Sequence, residues 1–141
     1  MNTTGGQTLR VSYIIDTDWA VHHLNGEKRI RMKLKQLQPE GLGLSIISLA
    51  ELSEGVIYSR NPTKSKDQLN EFLSSVSVIE ITSEICSIFG QKRGILRQQG
   101  LMIGDFDLII ASTCIYHNIT LLTNNRKHFE RIEGLKIISL I

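Results

Sequence analysis

The stretch 11-VSYIID-16 decides how the chain is interpreted, because an apolar run of strand character ends there in a carboxylate, Asp16. Two similar places follow. Glu51 comes shortly after the apolar run 44–47, and Asp107 opens the apolar stretch 108–111. In an open parallel sheet, the turns from strand to helix gather at one edge, where ligands bind. Three carboxylates at that edge would repel one another unless a cation lay between them.

The rest of the chain alternates between strand and helix patterns, which predicts an α/β fold with a mostly parallel central sheet. The spacing predicts strands over residues 10–15, 43–47, 76–81, 120–123 and 136–140. It predicts helices over residues 19–24, 27–38, 48–58, 63–74, 83–99, 106–117 and 126–129. Two helix starts carry specific expectations: Ser48 and Glu51 would form a capping box, and Asp105 would cap the helix that follows it.

Length and composition fit one ordinary globular domain of 141 residues, 41% hydrophobic and 21% charged. We expect this domain to span residues 10–141 after a disordered extension over residues 1–9. The formal net charge of +2 argues neither for nor against a nucleic-acid partner. Cys86 and Cys114 lack a metal-type spacing, so we expect both to be small core residues in a reducing cytosol. No apolar run has the length of a membrane span, so we expect a cytoplasmic protein without membrane attachment.

The residue types at the predicted edge suit a hard metal ion. Mg²⁺ and Mn²⁺ prefer oxygen ligands and are often held by one or two carboxylates together with water. Such a site fits phosphodiester hydrolysis, because the metal activates water and stabilises charge on the phosphate. Asp16, Glu51 and Asp107 would supply the charge, and Asp105 and Asp18 lie two residues from two of them. Asn125, after the fourth strand, would add a neutral oxygen.

Each acid also has a purely structural explanation. Glu51 could serve only the capping box, and Asp105 could be only a helix cap. Asp107 could complement a helix dipole, and Asp16 could cap the short helix after it. The structural explanation weakens for the set as a whole, because three strand ends would have to acquire acids independently.

Five pieces of sequence, in this order and spacing, resemble a PIN domain, and more narrowly a VapC-type toxin ribonuclease. The resemblance covers residues 11–140, nearly the whole chain. Its pieces are 13-YIIDT-17, 45-SIISLAEL-52 with Gly55, 103-IGDFDLIIA-111, 121-LLTNN-125 with His128-Phe129, and 132-IEGL-135.

The resemblance implies a Rossmann-like α/β/α sandwich and an endoribonuclease that depends on Mg²⁺ or Mn²⁺. It also implies frequent homodimers and neutralisation by a small cognate antitoxin protein. By position, Asp16, Glu51 and Asp107 match the three central metal-site acids of the family, and Asp105 matches a place that is often acidic. Asn125 falls where many relatives carry a fourth acid, which favours one Mg²⁺ over two.

On this interpretation, Asp16 and Asp107 hold Mg²⁺ directly or through water, and Glu51 holds or helps deprotonate the attacking water. The hydroxyls of Thr17 and Thr123 would orient these acids. Phosphate contacts would come from basic residues near the acid edge and on the long helix. The candidates are Arg126, Lys127, Arg93 and Arg97.

Two other functions stay open at this point. The pattern 16-DTD-18, with 104-GDFD-107, also resembles the motifs of haloacid-dehalogenase-type phosphatases, which would make Asp16 a covalent nucleophile. A further metal-site aspartate and a strand-end lysine of that family are not clearly present. The second alternative is a non-catalytic PIN-like domain that binds only RNA or protein, and Asn125 is the residue that keeps it open.

Overall fold

The computed structural model describes residues 10–140, so the predicted disorder of residues 1–9 falls outside it. These residues form five strands and seven α-helices, with two helices between each pair of successive strands from β1 to β4 and one between β4 and β5. In chain order they are β1 Tyr13–Ile15, α1 Thr17–Leu24, α2 Lys28–Leu37, β2 Leu42–Ser45, α3 Ile46–Ile57, α4 Pro62–Leu73, β3 Ser77–Ile79, α5 Ser83–Gln99, α6 Asp105–His117, β4 Thr120–Leu122, α7 Arg126–Phe129 and β5 Ile137–Ile138. A 3₁₀ turn, Gln38–Glu40, links α2 to β2.

The five strands form one sheet in the order β3-β2-β1-β4-β5, and every pairing in it is parallel. The chain first builds outward from β1 through β2 to β3, and then returns to place β4 on the other side of β1. The strand order therefore reverses between β1 and β4. In doubly wound sheets, the crevice outside the carboxyl ends of the strands at such a reversal is where ligands bind.

Helices cover both faces of the sheet. Neighbouring residues of a strand point to opposite faces, so each strand contributes side chains to two separate cores. Ile14 and Leu121 belong to a core packed against α5, α6 and α7. Ile15 and Leu122 belong to a second core, packed against α1, α2, α3 and α4. The predicted α/β/α sandwich with a mostly parallel sheet is thus confirmed.

A glycine fixes how the chain enters β2. Gly41 adopts a φ of +94°, a backbone conformation that residues other than glycine rarely adopt. A Cβ at this position would also collide with the carbonyl oxygen of Arg10. The Gly41 carbonyl accepts hydrogen bonds from the backbone N–H groups of Ser12 and Tyr13. The turn thus holds the start of β2 against β1, the strand that carries Asp16.

The predicted capping box of Ser48 and Glu51 is wrong. Helix α3 begins at Ile46, and its cap is Ser45, whose hydroxyl accepts the backbone N–H of Ile47 at 3.1 Å. Ser48 is fully buried inside the first turn of the helix. Glu51 is therefore free of a capping role.

Two further expectations are also wrong. Asp105 does not cap α6, because Gly104 occupies the cap position and Asp105 is the first residue of the helix. Cys114 is buried as predicted, but Cys86 is exposed on α5. None of the helices among residues 10–140 combines the length and the hydropathy that crossing a bilayer requires.

Candidate active site

Asp16 follows β1 directly and lies at the reversal point of the sheet. Asp16 is only 4% exposed, and its backbone N–H donates to the Leu122 carbonyl at 2.9 Å. The hydroxyl of fully buried Thr123, just after β4, donates to Asp16 Oδ2 at 2.7 Å. Asp16 begins α1 from the cap position, but its side chain does not cap that helix. Its carboxylate therefore belongs to the crevice between β1 and β4.

The pKa of Asp16 is raised from an ordinary value of 3.8 to about 7, and burial is the largest cause. The hydrogen bond from Thr123 works in the opposite direction. The neighbouring carboxylates of Asp18 and Asp107 contribute to the rise, because a second negative charge nearby disfavours ionisation. A buried carboxylate under this pressure is stabilised in its charged form by a bound cation.

Glu51 reaches the same edge from α3. The Thr17 hydroxyl, in the first turn of α1, donates to Glu51 Oε1 at 2.7 Å. The same hydroxyl oxygen lies 2.8 Å from Ser48 Oγ. Two helices are thus joined at the point where they meet the acids. The predicted orienting hydrogen bonds from Thr17 and Thr123 to acids are both confirmed.

Asp107 lies in the first turn of α6 and is half-buried. Burial raises its pKa, Glu51 and Asp18 raise it as well, and nearby His128 opposes them. The acids that were predicted to share one edge are therefore close enough for their negative charges to raise the pKa values of Asp16 and Asp107. Their oxygens are the ligand type that Mg²⁺ and Mn²⁺ prefer, so the chemistry of these donors suits such an ion.

The acids are near one another but not tightly gathered. Across residues 10–140, no three His, Cys, Asp or Glu side chains are close enough together to hold a metal ion as they stand.

Asp18 has a structural task that the sequence did not reveal. Its Oδ1 accepts the backbone N–H of Trp19 at 2.7 Å, and its Oδ2 accepts the backbone N–H of Asn124 at 3.1 Å. Asn124 Oδ1 in turn accepts the Trp19 indole N–H at 2.9 Å and the Leu140 backbone N–H at 2.8 Å. This network fixes the loop after β4 against α1.

The remaining predicted residues are engaged with neighbours. Asp105 forms an exposed ion pair with Arg93, with 3.0 Å between Arg93 Nε and Asp105 Oδ1. The Asn125 amide lies 3.1 Å from His128 Nδ1. Arg126 donates to Glu130 and to the Ser139 hydroxyl. Lys127 and Arg97 are exposed.

A family model described as the PIN domain matches residues 13–135, almost all of the sheet and its helices. The chain belongs to the PIN-domain family. The resemblance predicted from the sequence is thereby confirmed, and the phosphatase alternative loses its support. The match covers the region that contains Asp16, Glu51, Asp107 and Thr123.

Individual relatives narrow the comparison for this PIN domain. It is 36% identical to ribonuclease VapC2 of Rickettsia felis over 125 residues, which is 87% of this chain and 93% of the relative. It is 33% identical to ribonuclease VapC1 of Haemophilus influenzae strain R2866, covering 88% of this chain and 94% of the relative. Among solved structures, the complex of VapBC2 from Rickettsia felis with a promoter DNA fragment contains a chain that matches with a TM-score of 0.87 and 34% identity, covering 92% of this chain and 98% of that one.

Proposed function

We propose that this PIN domain is a Mg²⁺-dependent endoribonuclease and the toxin of a type II toxin–antitoxin pair. Its similarity to proteins named VapC ribonucleases supports the RNA-hydrolysing activity. The observation that carries the proposal is the buried Asp16, held by Thr123 at the reversal point of the sheet and flanked by Asp18 and Asp107. An apolar residue would pack better at this buried position than a carboxylate does, so packing does not explain the presence of Asp16.

In the proposed mechanism, Asp16 and Asp107 would hold one Mg²⁺ ion, which Mn²⁺ could replace. When bound, the ion supplies the positive charge that lowers the pKa of water and offsets the charge that develops on the phosphate. Glu51, fixed by the Thr17 hydroxyl, orients the attacking water and accepts its proton. Asp105 and Asn125 have lesser roles, because each already has a partner in Arg93 and His128 respectively.

RNA would lie across the acid edge, with its phosphates contacted by basic side chains. Lys127 and Arg97 are exposed and available to it. Arg93 and Arg126 would have to leave or share their contacts with Asp105 and Glu130. Exposed ion pairs of this kind contribute about 0–1 kcal/mol, so exchange for a phosphate is energetically easy.

The proposed protein partner is a small cognate antitoxin, because a solved relative is a VapBC complex. The proposed assembly of the toxin itself is a homodimer. Size-exclusion chromatography with light scattering, on the protein alone and with its antitoxin, tests both. A monomer at all accessible concentrations would reject the homodimer.

The central test is cleavage of a labelled RNA by the purified protein during a Mg²⁺ titration. Asp16→Asn and Asp107→Asn should each lower the rate by about 100-fold or more, and EDTA should abolish cleavage. Glu84→Gln is the control, because Glu84 is an exposed acid at the start of α5. Cleavage that survives both aspartate substitutions, or persists in EDTA, would refute the proposal. RNA binding without any cleavage would favour a non-catalytic PIN domain.

A further inference from the structure

A cavity of about 230 Å³ lies between α1, α3 and α4, and Glu51 forms part of its wall. We refer to it as the α1–α3–α4 cavity. Because Glu51 also belongs to the acid edge, the cavity opens beside the place where an RNA phosphate would be cleaved. None of the structural roles described above accounts for this cavity.

The walls of the α1–α3–α4 cavity are mostly apolar. Leu52 of α3 is buried there, and Val21 of α1 lines it while remaining 41% exposed. Gly55 leaves room on the α3 side, since a Cβ at this position would meet nothing within 4 Å. The cavity therefore offers apolar contact surface to a flat group that enters from the acid edge.

The polar groups around the cavity are uncharged apart from Glu51. Asn25, Ser65 and Gln68 provide amides and hydroxyls, which carry both hydrogen-bond donors and acceptors. A phosphate would find no cation there, since Glu51 is the one charged residue in the lining. A neutral heterocycle with donors and acceptors on its edge matches this combination of walls and rim.

We propose that the α1–α3–α4 cavity binds the nucleobase of a nucleotide next to the cleaved phosphodiester. The inference rests on the proposed ribonuclease function and adds its base selectivity. Sequence-specific recognition of RNA usually takes unstacked bases from single strands and reads their edges by hydrogen bonds. In this cavity, aliphatic side chains such as Leu52 and Val56 would cover the face of the base. The volume is below the range of roughly 300–1,000 Å³ that drug-sized ligands occupy, which suits one base.

The groove continues beyond the cavity in a direction that RNA could follow. A second cavity, of about 460 Å³, shares Val56 with the first and includes Lys66 of α4 in its lining. A strand that places a base against Gly55 and continues along α3 would meet this lysine. Lys66 is the positive charge available to the next phosphate there, and Asp67 in the same lining opposes it.

Filling the cavity gives a test that spares the fold. Gly55→Leu places a side chain in open space within α3, and leucine is a better helix former than glycine. Gly90→Leu is the matched control: Gly90 is also helical, in α5, and a Cβ there also meets nothing within 4 Å. Both variants should therefore fold.

The first measurement does not require catalysis. Amide chemical shifts of the full-length protein are recorded by NMR in EDTA with each of the four ribonucleoside 5′-monophosphates, and with ribose 5-phosphate as the control without a base. At least one nucleotide should shift the amides of Gly55 and Val56, and Gly55→Leu should weaken its binding about tenfold or more. If no nucleotide shifts these amides, the inference is wrong, whether or not the protein cleaves RNA.

The second measurement uses cleavage. Gly55→Leu should raise KM about tenfold for RNA with the preferred base and should relax the preference at that position. An abasic nucleotide there should remove the difference between Gly55→Leu and the wild type. Unchanged base preference in Gly55→Leu would overturn the inference.

The inference would also be overturned if Gly55→Leu lost antitoxin binding while its nucleotide-induced amide shifts stayed the same as those of the wild type, because the cavity would then bind the protein partner. Nucleotide shifts in a protein that cleaves no RNA would support the base site and refute the ribonuclease.

Discussion

Thr123 and Asp16 are separated by 107 residues in sequence, yet the Thr123 hydroxyl donates to Asp16 Oδ2 at 2.7 Å. The bond joins the two residues that follow the central strands β1 and β4. Both are buried, so water cannot easily replace either partner. Thr123 therefore fixes the direction in which Asp16 presents its carboxylate to the crevice.

If Asp16 holds Mg²⁺ as proposed, Thr123→Val should raise the Mg²⁺ concentration needed for half-maximal cleavage by about 10–100-fold, because it removes the hydroxyl that orients the Asp16 carboxylate. Thr123→Ser, which keeps the hydroxyl, should restore most of the loss. Thr113→Val is the control, since Thr113 is also buried but donates to the Ile109 carbonyl within α6. An unchanged Mg²⁺ requirement in Thr123→Val would contradict the orienting role.

The raised pKa of Asp16 predicts how stability depends on pH without metal. Between its ordinary pKa of 3.8 and the folded value of about 7, the folded protein binds more protons at Asp16 than the unfolded chain does. The stabilising contribution is therefore complete below about pH 4 and is lost as pH rises through 7. In EDTA, Tm should fall between about pH 4 and about pH 7, and Asp16→Asn should flatten this fall.

Added Mg²⁺ should reverse this loss of stability. It should raise Tm at about pH 8, where Asp16 is charged, by a few degrees, and have little effect at about pH 5.5. Asp16→Asn should abolish the stabilisation by Mg²⁺. Equal stabilisation of the wild type and Asp16→Asn would place the ion elsewhere.

Arg93 of α5 and Asp105 at the start of α6 form an exposed ion pair. Breaking it should change the free energy of unfolding by no more than about 1 kcal/mol. If Arg93 contacts a phosphate, Arg93→Gln should weaken RNA binding and reduce the slope of log K against log salt by about one. Asp105→Asn should strengthen RNA binding, because it releases Arg93. Lys35→Gln, an exposed charge change on α2, is the control, and an equal effect from it would remove Arg93 from the RNA surface.

Trp19 is fully buried, and its indole N–H depends on Asn124 for a partner. Asn124→Ala should lower the free energy of unfolding by about 1–3 kcal/mol, because it leaves that buried donor unpaired. Trp19 is the one tryptophan in the sequence, so denaturation followed by its fluorescence reports this site directly. Asn70→Ala, at an exposed position of α4, should be nearly neutral. Similar losses in the two variants would mean that the network contributes little.

The sheet and the position of Asp16 were predictable because both depend on local patterns. Asp16 follows the apolar run of β1 directly, and a parallel sheet gathers its strand ends at one edge. Glu51 and Asp107 are not at strand ends, because Glu51 lies within α3 and Asp107 lies in the first turn of α6, which follows α5.

The start of α3 was harder to locate. Ile46 and Ile47 extend the apolar run of β2 and resemble strand residues, although Ser45 already caps the helix. The helix cap lies where the backbone changes from extended to helical dihedral angles, and a continuous apolar run does not show where that change occurs.

Polar contacts between distant residues leave no periodic signal in the sequence. Asp105 was predicted to cap α6, but its partner is Arg93, twelve residues earlier on α5. Asn124 appeared only as part of a resembling segment, and its bond to Trp19 spans 105 residues. Cys86 was expected in the core because its sequence neighbours are apolar, yet it lies on the exposed side of α5.

The strand order also determines when the proposed active centre can first exist. A chain still being translated that has emerged only as far as α5 contains Asp16 and Glu51, but neither Asp107 nor Thr123. Strand β1 then lacks its neighbour β4, and the crevice has one wall. Contacts over such distances form only after most of the chain is available. Synthesis would thus deliver a nuclease that is inert on the ribosome until nearly the last strand has been added.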